Sequence, residues 1–98
     1  MIVDFSPQTG LTLVETDDFK GFKLRLRECG DRRLDLPGVT FSDDANALVS
    51  IEAVLRLPGT PDTAAWRSDF DKMLAYAATK GWIDSTTNAI RAHVERAP

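Results

Sequence analysis

The apolar residues of this chain change their spacing at Pro58-Gly59, and this change limits the fold more than any other feature. Before this point apolar residues recur with a period of two between frequent turn signals, which is typical of β-strands. After it they recur at helical spacing up to about Lys80. A chain of 98 residues can form one domain with one modest core. The sequence therefore predicts a single α+β domain over residues 1–98.

The first part of the chain, about residues 2–57, predicts an antiparallel β-meander. Its clearest strand covers residues 22–29, where apolar side chains alternate with basic ones. A second long strand is expected over residues 47–57, because Val49, Ile51 and the odd positions that follow are apolar. Its other face is also partly apolar, which favours a central place in the sheet.

A hairpin is expected around Gly30-Asp31, and its register can be argued from side-chain chemistry. A three-residue loop would place Leu26 opposite Leu36 and Arg27 opposite Asp35. This register keeps apolar residues together and pairs opposite charges, whereas a two-residue loop would mix the two faces. The three-residue loop is therefore favoured.

One long helix is predicted over about residues 61–80, packed on one face of the sheet. Thr60 is the candidate N-cap, Pro61 would be the first helical residue, and Gly81 is placed to end the helix.

The tail over residues 82–96 can be read either as a β-hairpin or as a second short helix. A hairpin would turn at residues 85–88, where Asn88 tolerates a left-handed backbone conformation. A helix would align Ile90, His93 and Val94 on one face. The hairpin is favoured because Thr86 and its neighbours are mediocre helix formers.

Cysteine and histidine usage excludes several kinds of site. Cys29 is the only cysteine and His93 the only histidine, so one chain can build neither a disulfide, nor a Cys-rich zinc site, nor a multi-histidine metal site. Positive charge near Cys29 could favour its thiolate, but with no base placed beside it an inert thiol is expected. The sequence also lacks a Gly-rich phosphate loop. We expect no metal and no cofactor.

The apolar runs are too short for a membrane protein. No run approaches the roughly 20 residues that span a bilayer. Asp4 interrupts the apolar start and no basic segment precedes it, so a signal peptide is not expected. A single free thiol then favours a cytoplasmic location.

His93 is the candidate catalytic residue, because its ordinary pKa lies near neutrality. On the hairpin interpretation it shares a strand face with Arg91 and Glu95. Glu95 could raise the pKa of the imidazole, and Arg91 could hold an anionic substrate. A lone histidine without a partner motif is more often a half-exposed strand residue.

Three aromatic residues in or beside the long helix could line a ligand pocket: Trp66, Trp82 and Tyr76. Trp66 begins the apolar stripe of the helix, so a role in the core is favoured for it. Tyr76 lies on the flank of that stripe, where its hydroxyl could reach a pocket rim.

The strand side chains of Lys23, Arg25 and Arg27 belong to a basic segment. Residues 20–33 carry a net charge of +4, which leaves −7 for the rest of a chain whose net charge is −3. Such a face could contact a protein, a second copy of the chain or a small anionic ligand. Nucleic acid is disfavoured because no aromatic residue is interleaved with these cations. A solvated face paired with Asp35 and Glu52 is the expectation that involves no partner.

Two functions from different classes follow from these features. The first is a non-catalytic protein-interaction or ligand-binding module, with self-association into a homo-oligomer as one form of it. The alternative is a small cofactor-free acid/base enzyme of the isomerase, cyclase or dehydratase kind, with His93 as base in a Trp-lined pocket.

Overall fold

The structure is a computed structural model that describes residues 1–28 and 35–97. Within those residues it contains seven strands and two helices, in the following chain order: β1 (Ile2–Ser6), β2 (Gly10–Val14), β3 (Lys23–Arg27), β4 (Val39–Phe41), β5 (Asn46–Ser50), α1 (Ile51–Arg56), α2 (Ala64–Thr79), β6 (Ile83–Asp84) and β7 (Ala89–Ala97). The strands form one mixed sheet that packs against the long helix α2. The predicted α+β class is confirmed.

The order of the strands differs from a meander. Across the sheet the order is β2-β1-β3-β7-β5-β4, and the short β6 pairs with β7 beside β3. β3 runs parallel to both of its neighbours, β1 and β7, whereas the other pairs are antiparallel. Parallel neighbours cannot be joined by a tight hairpin and need a longer crossover connection, so this sheet is not a meander. The C-terminal strand β7 lies in the middle of the sheet, next to β3, the clearest strand of the sequence.

The predicted hairpin after β3 is wrong. Both edges of β3 are already occupied, so Leu26 lies beside Phe5 on one side and Arg96 on the other. Asp35 and Leu36 are not in a strand, although Leu36 is buried in the core. The predicted turn at Gly30-Asp31, together with Cys29, lies outside the described residues.

The predicted long strand over residues 47–57 is half strand and half helix. β5 ends at Ser50, whose hydroxyl accepts a hydrogen bond from the backbone N–H of Ala53 and so caps α1. Ile51 and Val54 are buried, three residues apart on one helical face. The apolar residues from Ile51 onward fit the two-residue period of a strand as well as the spacing of a helix. The N-cap at Ser50 favours the helix.

The long helix α2 starts later than predicted. Its N-cap is Thr63 rather than Thr60, and the Thr63 hydroxyl accepts a hydrogen bond from the backbone N–H of Trp66 at 3.1 Å. The helix ends at Thr79 with Lys80 as its C-cap, and Gly81 follows with φ +76°, as predicted for a residue in the left-handed region.

The predicted C-terminal hairpin is confirmed. β6 pairs antiparallel with β7, with Ile83 opposite Ile90, and Asn88 in the turn has φ +53°. Along β7 the side chains alternate, so that Ile90, Ala92 and Val94 are buried and Arg91 and His93 are exposed.

The core lies between α2 and one face of the sheet. The helix contributes Trp66, Phe70, Met73 and Ala77, and the sheet contributes residues such as Leu24 and Val94. The opposite face of the sheet is polar, because the register places Asp4, Arg25 and Glu95 in one row across it. No helix within the described ranges is both long and apolar enough to cross a bilayer.

Candidate ligand-binding site

A pocket lies beside β7, where its pairing passes from β6 to β3. β6 covers β7 as far as Ile90, and β3 begins its pairing opposite His93. Between these points the backbone N–H of Arg91 donates to the carbonyl oxygen of Trp82 at 2.8 Å. The change of partner leaves a notch at the edge of β7, and residues from both faces of that strand reach it.

The pocket has a volume of about 370 Å³, which falls in the range of small-molecule sites. Its lining comes from the segment before β3, the C-terminal half of α2, the hairpin and β5: Phe19, Lys20, Gly21, Phe22, Asn46, Met73, Tyr76, Ala77, Trp82, Ile90, Arg91 and His93. Most of this lining is apolar or aromatic. The described lining residues include Lys20, Arg91 and His93 but no aspartate or glutamate.

The chain terminus fixes one wall of the pocket. The ammonium group of Met1 donates hydrogen bonds to the carbonyl oxygens of Asp18, at 2.6 Å, and Gly21, at 3.0 Å. Burial lowers the pKa of this ammonium group below its ordinary value, although the charge of Asp18 opposes the change. These bonds hold the segment that carries Phe19 and Phe22 against the sheet.

Arg91 is held in place by a neighbour on β5. Its Nε and Nη2 atoms lie 3.4 and 3.3 Å from the side-chain oxygen of Asn46. The Asn46 amide nitrogen in turn faces the Asp43 carboxylate, at 3.2 and 3.4 Å from its two oxygens. Because a carboxylate accepts only from the nitrogen end of the amide, Asp43 leaves the Asn46 oxygen facing Arg91.

His93 lines the pocket together with Arg91. The two side chains share the exposed face of β7, as the alternation along the strand predicted. Glu95 accepts a hydrogen bond from Lys23 Nζ at 3.0 Å and none from the imidazole, although the His93 and Glu95 side chains are close enough to interact electrostatically. That hydrogen bond from Lys23 lowers the pKa of Glu95 below its ordinary value. The pocket therefore brings together the candidate base and the candidate anion clamp, while Glu95 hydrogen-bonds to Lys23.

Tyr76 and Trp82 lie together at the mouth of the pocket. Their ring centres are 6.1 Å apart with an interplanar angle of 70°, an edge-to-face arrangement. Their exposed fractions are 58% and 41%, and within residues 1–28 and 35–97 no other large hydrophobic residue is classed as exposed. Lys80 Nζ lies 5.5 Å from the centre of the Tyr76 ring.

Trp66 does not line this pocket. It stacks on Phe70 with ring centres 5.0 Å apart, and its indole N–H donates to the carbonyl oxygen of Thr16 at 2.8 Å. Its 6% exposure places it in the core, in agreement with the role favoured by its position in the helical stripe. The predicted pairing of two tryptophans across one pocket is therefore not what the structure contains.

The basic side chains of β3 are matched by carboxylates other than the predicted ones. Arg25 and Arg27 both donate to Asp4, at 2.8 and 2.7 Å, and Lys23 bonds to Glu95. Burial would raise the pKa of Asp4, but the hydrogen bonds from the two arginines outweigh it and hold that pKa below its ordinary value. The predicted partners do not reach β3: Glu52 pairs with Arg56 on α1, and Asp35 is exposed outside the sheet.

Several lining residues were not predicted from the sequence. Asn46, Phe19, Phe22 and Met73 carry no functional signal in the sequence. They reach the pocket only because β5 and the segment before β3 flank β7, which is a long-range pairing without a local sequence signature. Tyr76 and Trp82, by contrast, are candidates on sequence grounds, and both line the pocket.

In the described part of the chain, no group of three or more His, Asp and Glu side chains is arranged to hold a metal ion. Comparisons with protein-family models, with curated proteins and with solved structures find no match to this chain.

Proposed function

We propose that this chain is a non-catalytic ligand-binding module whose pocket takes a small anionic molecule with an apolar body. The observation that carries the proposal is the charge of the pocket lining. The chain has 15 acidic and 12 basic residues, yet the described lining residues include Lys20, Arg91 and His93 and no carboxylate. Although the whole chain is acidic, the charged side chains in the described pocket lining are basic, and a pocket lined by one sign of charge attracts ions of the opposite sign.

The apolar part of the lining supports a ligand that is more than an inorganic ion. Phe22, Met73, Trp82 and Ile90 surround the same space as the cations. Apolar walls with a few placed polar groups are the usual composition of small-molecule sites, in which the walls supply affinity and the polar groups fix orientation.

The basic strand supports a binding role less well than the pocket does. Asp4 and Glu95 match the charges of Arg25 and Lys23 within the sheet. A partner protein or a second copy of the chain would have to break these pairs to use those charges. The described pocket lining contains no carboxylate, and Arg91 and Lys20 form no ion pair within the described part of the chain, so a ligand does not have to break one to reach them.

The test uses two probes of nearly the same shape. Anilinonaphthalene sulfonate carries one negative charge, and phenylnaphthylamine is its neutral counterpart; both fluoresce when bound in an apolar site. We expect the sulfonate to bind the folded protein and Arg91→Gln to weaken it about tenfold, the worth of one charge-assisted hydrogen bond. The matched control is Arg56→Gln, which removes the same charge from the surface of α1, where Arg56 pairs with Glu52.

Two results would overturn the proposal. One is the absence of sulfonate binding to the folded protein. The other is equal binding of both probes together with no effect of Arg91→Gln, because the cations would then have no part in the site.

A second candidate is the small acid/base enzyme, which the shared position of His93 and Arg91 at one pocket favours. In that case His93 would be the base and Arg91 would hold the anionic group of the substrate. His93→Gln distinguishes the two functions. It should leave the affinity for the sulfonate nearly unchanged in a binding module, whereas in an enzyme it should abolish turnover of a bound anion without affecting its binding.

A further inference from the structure

We infer that the ligand of this pocket is a planar aromatic monocarboxylate, with its carboxylate on Arg91 and its ring against the Tyr76–Trp82 pair. This inference rests on the proposed function and names the ligand class for the same site. Three features of the pocket carry it: the edge of the guanidinium that remains available, the aromatic surface at the mouth, and the polarity of the helix end.

The guanidinium of Arg91 has one edge engaged and one edge open. Asn46 accepts from Nε and from Nη2, which together form the side edge of the group. The remaining N–H bonds, on Nη1 and on the outer side of Nη2, form the end edge. Two parallel donors at this edge match the two coplanar oxygens of a carboxylate.

The orientation of this edge is set before any ligand arrives. Asp43 fixes the amide of Asn46, and Asn46 fixes the plane of the Arg91 guanidinium. Long arginine side chains lose considerable rotamer freedom when they bind, so a guanidinium that is already oriented binds with a smaller entropy loss. Asn46 is therefore a positioning residue, which acts on the ligand through Arg91.

The aromatic surface of the pocket favours a flat ring over an aliphatic chain. Four of the chain's eight aromatic residues line it, namely Phe19, Phe22, Tyr76 and Trp82, and these four come from opposite sides of the notch. Tyr76 and Trp82 stand nearly perpendicular to each other, so a planar ring that stacks on one of them presents its edge to the other. Both contacts are preferred aromatic geometries.

The C-terminal end of α2 favours a ligand with one negative charge over a ligand with two. Tyr76 and Ala77 lie in the last turn of α2, the end at which the aligned peptide dipoles of a helix place partial negative charge. This charge opposes an anion, and the opposition grows with the charge of the anion. A monocarboxylate on Arg91 is consequently a better match than a phosphate dianion.

The experiment compares three related probes by isothermal titration calorimetry. Naphthoate has a flat ring and a carboxylate, decahydronaphthoate has the same carboxylate on a saturated body, and naphthyl phosphate has the flat ring with a dianionic group. We expect naphthoate to bind about tenfold more tightly than either of the others, as loss of one good aromatic contact or of the bidentate carboxylate contact would give.

Two variants test the assigned roles. Trp82→Leu should reduce the preference for naphthoate over decahydronaphthoate to about twofold, because the stacking surface is lost. Asn46→Ala should reduce the preference for naphthoate over neutral naphthamide by about fivefold while thermal unfolding still shows a folded protein, because the guanidinium is no longer oriented. Arg56→Gln should change neither preference.

The outcomes separate the inference from the function on which it rests. Equal binding of naphthoate and decahydronaphthoate would overturn the aromatic assignment, and tighter binding of naphthyl phosphate would overturn the carboxylate assignment. In both cases an anion-binding pocket would stand if anilinonaphthalene sulfonate binds through Arg91. If none of these anions binds the folded protein, the inference and the proposed function both fail.

Discussion

The Nε atom of Arg25 lies 2.8 Å from an Asp4 oxygen, although the Asp4 side chain is only 3% exposed on the polar face of the sheet. Arg27 donates to the other oxygen of the same carboxylate at 2.7 Å. One buried negative charge therefore holds two cationic side chains of β3 across the parallel pairing with β1. This arrangement joins the first strand of the chain to the centre of the sheet.

Replacement of Asp4 by asparagine should destabilise the fold. The neutral amide cannot accept charge-assisted bonds from both arginines, and its nitrogen would face a cation, so we expect a loss of about 2 kcal/mol in the free energy of unfolding. Urea denaturation measures this loss. Glu52→Gln, which breaks the exposed pair with Arg56 on α1, is the control and should cost less than about 0.5 kcal/mol. Equal effects of the two changes would show that Asp4 acts as an ordinary surface residue.

The same carboxylate should make stability depend on pH in the acid range. The pKa of Asp4 in the folded protein lies below its ordinary value of 3.8, so the unfolded chain takes up the proton first as the pH falls. The contribution of Asp4 is therefore present above pH 3.8 and is lost as the pH falls through the lower, folded pKa. Asp4→Asn lacks this contribution at every pH. The difference in unfolding free energy between the two proteins should shrink steadily below pH 3.8, and a constant difference would contradict the ion-pair explanation.

Local sequence signals predicted the elements that local interactions determine. Gly81 ends α2 because it adopts a positive φ, and Asn88 turns the C-terminal hairpin for the same reason. The helical stripe placed Trp66 in the core. Each of these features depends on one residue and its neighbours within a turn or two, which is the range over which spacing and backbone preference act.

The pairing of distant strands could not be predicted in the same way. The carboxylates that match β3 come from Asp4, far earlier in the chain, and from Glu95, near its end. Opposite charges at 35 and 52 were equally reasonable partners on chemical grounds, because charge complementarity does not specify which strands are neighbours. The pocket has the same origin, since Asn46 meets Arg91 only across the pairing of β5 with β7.

The two tryptophans should give opposite spectroscopic and stability results. Trp82→Phe leaves buried Trp66 as the only tryptophan, so its emission should lie at shorter wavelength than that of Trp66→Phe, which leaves Trp82 with 41% exposure. Trp66→Phe also removes the hydrogen bond to Thr16, and we expect it to cost about 1–2 kcal/mol. Fluorescence spectra and urea denaturation of both variants measure these effects. Similar emission maxima would contradict the assignment of Trp66 to the core and Trp82 to the pocket mouth.

A side chain at Gly59, in the loop between α1 and α2, should destabilise the fold. A Cβ atom there would lie 2.4 Å from the carbonyl oxygen of Leu13, and the residue has φ +92°. The neighbouring Pro58 carbonyl also accepts a hydrogen bond from the Leu13 N–H at 2.8 Å, so the backbone of β2 cannot move away without losing it. Gly10 is a matched control, because it has φ +74° but a Cβ atom there would meet nothing within 4 Å.

Both substitutions to alanine force a left-handed conformation on the new residue, which costs about 1–2 kcal/mol. Gly10→Ala should show only this cost, whereas Gly59→Ala should at least double it, because the methyl group also collides with the backbone of β2. Thermal unfolding of the two variants measures the difference. If Gly59→Ala lowered the stability no more than Gly10→Ala, the close approach of Gly59 to Leu13 would not hold the segment after α1 against β2.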